Sequence, residues 1–125
     1  MKKKIKKPKY TKKAADILFS QIIRKAAKCY RCSSIYNLQT AHIFSRWYLP
    51  VRYNTRNAVC LCAKCHMYFT YRPLEWEIYI KGQIGEEEYN ELKKMALSYI
   101  KMNYQDIIER LQVQLAYLTT LHKIC

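Results

Sequence analysis

The chain has 125 residues, a length that suits one domain with a modest core, which a metal staple would help to hold. Half of its residues are hydrophobic, and 23 Lys and Arg stand against 9 acids for a formal net charge of +14. That balance excludes a disordered chain and favours a polyanionic partner, nucleic acid first, with an acidic membrane surface or acidic protein as the plainer alternative. No run approaches the roughly 20 apolar residues of a membrane helix, and no apolar signal core follows the basic start, so a cytoplasmic chain without a membrane partner is expected. In that compartment six cysteines point to metal before disulfides.

Residues 1–13 carry eight lysines and read as a flexible basic arm, with one domain from 14 to 125. From Thr11, a plausible N-cap, to Lys28 the pattern predicts a helix. Its face is Leu18, Ile22 and Cys29, widened by Ile17, Ile23, Ala26 and Ala27. Residues 29–72 are irregular and cysteine-rich. Leu38–Phe44 and Ala58–Leu61 are candidate strands, separated by an aromatic and basic loop, and a short helix is expected from Ala63 to about Tyr71. The remainder, 73–122, reads as helices. The first is Pro73–Lys81, ended by Gly82. The second opens on Glu86–Glu88 and has an apolar face of Leu92, Met95, Ala96 and Tyr99. The last is capped by Asn103 with Asp106 and carries the stripe Ile107, Leu111, Leu115, Leu118 and Leu121 or His122. That stripe is expected to be core, although a homodimer or a protein partner through these helices is also open. The fold class is therefore α+β and mostly helical.

Cys29-x2-Cys32 and Cys62-x2-Cys65 are two knuckles, each able to put two thiolates on one ion. Together they complete the four-sulfur tetrahedron of a structural Zn2+. Such a site is closed, so any chemistry has to come from the residues between the knuckles, a gap longer than the about 15–20 residues of a zinc ribbon. Cys60 is expected to point away from the metal, buried as a small apolar group, and Cys125 to have no role. No acid occurs between Asp16 and Glu75, whereas that stretch holds Arg24, Lys25, Lys28, Arg31, Arg46, Arg52, Arg56, Lys64 and Arg72.

The run Ala41-His42-Ile43, then Asn57, then Leu61-Cys62-Ala63-Lys64-Cys65-His66 resembles the HNH endonuclease (ββα-metal) motif. The stretch His42-Ile43-Phe44-Ser45-Arg46 is similar to phage HNH proteins, including the lambda-type NinG recombination proteins. The resemblance covers residues 29–81. It implies a hairpin-and-helix centre, flanked by N- and C-terminal helices, in a metal-dependent nuclease that hydrolyses DNA, double-stranded in the first instance. His42 would be the general base and Asn57 would hold the hairpin loop and orient it. His66 would bind a catalytic Mg2+ or Mn2+. Apart from the resemblance, Arg46 is the candidate for the scissile phosphate by its closeness to His42, and Arg52, Arg56 and Lys64 are candidates for nucleic-acid contact.

Two positions depart from the family pattern. Ala41 stands where many members have a metal-binding Asp, and Thr70 stands where many have His or Asn. The missing ligands would then come from phosphate and water, or from Glu75 or Glu77 folding back. The competing readings are a non-catalytic zinc module that binds DNA or RNA, and an accessory protein of phage assembly or recombination.

Overall fold

The computed structural model describes residues 10–124, with side chains through Leu121, so most of the basic arm and Cys125 lie outside the described residues. In chain order the elements are α1 (Lys12–Arg24), β1 (Leu38–His42), α2 (Leu49–Arg52), a 3-10 turn (Thr55–Asn57), β2 (Ala58–Cys62), α3 (Ala63–Thr70), α4 (Pro73–Ile84), α5 (Glu86–Ala96) and α6 (Tyr104–Ile124). The fold is α+β and mostly helical. Its two strands form an antiparallel hairpin with Leu38 opposite Cys62, Thr40 opposite Cys60 and His42 opposite Ala58. No described helix is long and apolar enough to cross a membrane.

Thr11 caps α1, its hydroxyl accepting from the Ala14 N–H at 3.1 Å. The helix stops at Arg24, four residues before the expected end. The N–H groups of Lys25, Ala26 and Ala27 bond three residues back, and Ala27 takes φ 62°, which turns the chain toward the first knuckle. The buried face also differs from the expected one. It is Ala15, Phe19 and Ile22, spaced i, i+4, i+7, while Ile17 is exposed and Cys29 lies beyond the helix. Phe19 decides the orientation because its ring stacks on His42 and meets Tyr53 edge-on.

α6 lies along α1. Asn103 Oδ1 accepts from the Asp106 N–H at 3.2 Å, the expected cap. Ile108 and Leu111 are buried against Ala15, Phe19 and Ile22, with Ile107, Leu115 and Leu118 partly buried around them. The stripe therefore forms core as far as Leu118, whereas Leu121 is exposed.

Gly82 does not end α4. The helix runs on to Ile84 and is closed by Gly85, whose φ of 87° suits glycine. α5 buries Tyr89 and Leu92 against Ile80 and Ile43 and also buries Ala96, while Tyr99 lies past the helix and is exposed. The inner side of the hairpin, through Ala41 and Leu61, packs on Cys29, Cys62, Cys65 and Phe69, with Trp76 and Tyr79 of α4 behind them.

Candidate metal centre and histidine cleft

β2 runs straight into α3, and this junction positions both candidate sites. Cys62 ends the strand and caps the helix, its Sγ accepting from the Cys65 N–H at 3.5 Å. The Cys29–Cys32 knuckle is brought alongside by backbone bonds from Tyr30 N–H to the Cys60 carbonyl (2.7 Å) and from Ser33 N–H to the Cys29 carbonyl (2.9 Å). The sulfurs of Cys29, Cys32, Cys62 and Cys65 all lie within 4.8 Å of one another. A tetrahedron with Zn–S bonds of about 2.3 Å has edges of about 3.8 Å, and Cys32 Sγ stands 3.7 Å from Cys62 Sγ. The four residues thus fit a four-sulfur zinc ion. Arg31 packs over the rings of Tyr68 and Phe69 and reaches Cys65 Sγ at 3.8 Å, placing a positive charge beside the thiolates. Cys60 is buried and is not among the four; it opens on a groove between α1, β2 and α6.

His42 and His66 both line one cleft of about 670 Å³ between α1, β1 and α3. Its wall includes Asp16, Arg24, Gln39, Arg46 and Thr70. Neither histidine joins the sulfur cluster. A groove of about 730 Å³ between α1, β2 and α6 is slightly larger, but it is mainly apolar and holds none of the predicted catalytic residues.

His42 ends β1 and is largely buried, its ring stacked on Phe19 at 5.3 Å between centroids. Its Nε2 lies 3.1 Å from the Arg52 carbonyl. A carbonyl can only accept, so Nε2 carries the hydrogen and Nδ1 the lone pair. Burial lowers the His42 pKa below the ordinary 6.5. The Arg52 carbonyl opposes that shift, while the charges of Arg46 and Arg52 add to it. The imidazole is therefore neutral at physiological pH.

The Arg52 carbonyl is itself fixed. Arg52 is buried, with Nε and Nη2 on the two oxygens of Asp16 (3.1 and 2.8 Å) and Nη1 on the Arg46 carbonyl (3.0 Å). Tyr53 Oη adds a third bond to Asp16 at 2.8 Å. Burial would raise the Asp16 carboxyl, but these bonds and the Arg52 charge bring it below the ordinary value. Burial and the Asp16 contact together push Tyr53 well above the ordinary tyrosine range.

Asn57 is fully buried and clamps the loop. Its Oδ1 accepts from the Phe44 N–H at 2.8 Å, and its Nδ2 donates to the carbonyls of Phe44 (2.9 Å) and Val51 (3.1 Å). Its side chain makes no hydrogen bond to His42; it ties Phe44 to Val51, the residue before Arg52. His66 sits in the first turn of α3, half-buried, with Nδ1 2.7 Å from Gln39 Oε1. That contact holds the hydrogen on Nδ1 and leaves Nε2 as the donor atom, the arrangement in which a histidine ligates a metal. Burial lowers its pKa also.

Arg46 is exposed at the rim of the cleft and has no carboxylate partner among the described residues. The other expected phosphate contacts fare differently. Arg52 is enclosed and paired, so its guanidinium does not face solvent. Arg56 is exposed but forms two 2.7 Å bonds to Glu88 and a 3.3 Å ion pair with Glu91, away from the cleft. Lys64 is exposed on α3 and does not line the cleft. Thr70 Oγ1 donates back to the His66 carbonyl at 2.7 Å. Glu75 accepts from Tyr68 at 2.6 Å and Glu77 pairs with Lys81 at 3.3 Å, and neither folds back into the cleft.

Sequence reasoning missed Asp16, the one acid lining the cleft among the described residues, and Phe19. Asp16 was legible only as the last acid before the long basic stretch.

The chain was compared with family models, with curated proteins and with solved structures, and none matches it.

Proposed function

We propose that the protein is a metal-dependent endonuclease of the HNH type that hydrolyses phosphodiester bonds of DNA. The observation that carries this reading is the meeting of His42 and His66, 24 positions apart in the chain, on the wall of one cleft, with neither drawn into the cysteine cluster. Around them the cleft offers Arg24 and Arg46, while its one carboxylate, Asp16, is neutralised by Arg52. A phosphate group meets net positive charge there.

With the hydrogen on Nε2 held by the Arg52 carbonyl, His42 Nδ1 takes the proton of a water as its oxygen bonds to phosphorus. The bond from phosphorus to the leaving oxygen breaks, and that oxygen is protonated from solvent. Arg46 pairs with a non-bridging phosphate oxygen. His66 Nε2 would hold a Mg2+ or Mn2+ together with phosphate oxygens and water, since no free carboxylate among the described residues lines the cleft. When bound, that cation supplies positive charge at the leaving oxygen. One imidazole makes a weak site alone, so cation and DNA should bind together.

The same shortage of carboxylates favours a second reading, a zinc-stabilised nucleic-acid-binding module without catalysis. Supercoiled plasmid separates the two. The hydrolase nicks it with added Mg2+ or Mn2+, stops in EDTA and loses nicking in His42→Ala. Tight plasmid binding with no nicking under either ion leaves the binding module.

A further inference from the structure

Between β1 and α2 the chain makes a tight turn, closed by Tyr48 N–H donating to the Ser45 carbonyl at 2.9 Å. Arg46 and Trp47 are its two central residues. The turn is fixed from several sides. Arg52 Nη1 holds the Arg46 carbonyl, and Arg52 is locked on Asp16. Tyr48 meets the edge of Phe44, which packs on Tyr89. Phe44 is half-buried and Tyr48, 37% exposed, packs against it, yet Trp47 is 86% exposed, and no ring pairs with it among the described residues. An indole held out in water on a braced turn forgoes the burial its area would gain, unless a partner covers it.

Charge and continuity identify the partner. Lys12 and Arg46 line a hollow of about 600 Å³ beside Trp47, and Arg46 also lines the histidine cleft. A phosphate at Arg46 therefore has the nucleoside attached to it next to Trp47. We propose that Trp47 is a stacking platform for an unpaired nucleobase flanking the phosphate at the cleft, so that the preferred substrate is DNA carrying a bulge, flap or single-strand junction. In an intact duplex both base faces are covered by neighbours, whereas an unpaired base offers a whole face to an indole. This proposal rests on the reading of the cleft as a phosphodiester site.

Binding measured without added divalent ion tests it independently of cleavage. By fluorescence anisotropy, the wild type should bind a duplex with a single-base bulge about tenfold more tightly than the same duplex without it. Trp47→Ala should abolish that preference with less than about a twofold change on intact duplex, and Trp47→Phe should keep most of it. With 2-aminopurine as the bulged base, binding should change its emission in the wild type and in Trp47→Phe but not in Trp47→Ala. Equal affinity of the wild type for both duplexes, or a preference that survives Trp47→Ala, overturns the proposal. So does equal weakening on both duplexes. A bulge preference that depends on Trp47, with no nicking of any DNA, would keep the stacking site and discard the hydrolase.

Discussion

The sulfur cluster and the histidine cleft share the first turn of α3, yet they are built in opposite ways. Cys65 faces inward, 4% exposed, and the next residue, His66, opens on the cleft. Each half of the cluster is local, two cysteines three positions apart, and only one long-range pairing of halves is needed. The cleft needs α1 for Phe19 and Asp16, β1 for His42, the following loop for Arg46, α2 for the Arg52 carbonyl, and α3 for His66. One site should therefore fail all at once, and the other by degrees.

The largest effect should come from the cluster. Structural zinc contributes apparent free energies of about 10–16 kcal/mol in small zinc-dependent folds, comparable to the about 5–15 kcal/mol that a domain holds in total. The wild type should carry one zinc per chain by elemental analysis, and Cys62→Ser should lose both that zinc and the cooperative melt by circular dichroism. A Cys62→Ser protein that melts like the wild type would show that the four sulfurs do not hold the fold.

On the nuclease reading proposed above, His42→Ala should reduce plasmid nicking about 10²–10⁴-fold, the usual worth of a positioned general base, while metal content matches the wild type. The wild-type pH profile should show the matching limb. His42 has a pKa below 6.5, so the base-competent neutral ring is present above that depressed value and is lost as pH falls through it. The rate should rise with pH on a limb centred below 6.5 and then level off. A limb centred above 6.5 would mean that the ring is not in the buried place described.

Asn57→Ala comes next, and it acts on stability before rate. It leaves the Phe44 N–H and the Phe44 and Val51 carbonyls without their partner inside the loop. At about 1–3 kcal/mol for each strongly buried group, a total near 3 kcal/mol is expected, or roughly 10 °C in Tm. A shift under about 2 °C would show that water replaces the amide there.

The contrast also explains what could be read from the chain. Cys29, Cys32, Cys62 and Cys65 were legible because ligand spacing is a local property, and the hairpin flanking them was legible as two short apolar runs. The junction of β2 with α3 followed from Cys62 and Ala63, and the cap of α6 from Asn103. The partners of the arginines were not legible. Nothing near Arg52 in sequence announces that Asp16, 36 positions away, will take two of its guanidinium nitrogens, or that Glu88 and Glu91 will take Arg56. Charge counts treat those arginines as equal to Arg46, and only tertiary contact separates them. The ends of α1 and α4 failed for a different reason. An apolar run continues through Ala26 and Ala27 although the backbone turns there, and two glycines three residues apart leave open which one takes the positive φ.

The smallest effect should be the most informative, because it crosses from α1 into the cleft. Asp16→Asn keeps the shape of the side chain but removes the charge that holds Arg52. The Arg52 carbonyl then loses part of its support and His42 Nε2–H loses a fixed acceptor, which should reduce the plateau nicking rate about tenfold. The sign of the pH effect is opposite to that of a simple loss of function. The Asp16 charge raises the His42 pKa, so removing it should move the acid limb to lower pH while the plateau falls. A pH–rate profile reads both at once. If Asp16→Asn lowers Tm but leaves plateau and limb where they are, the ion pair only fastens α1 to α2, and His42 is oriented by Phe19 and the strand end alone.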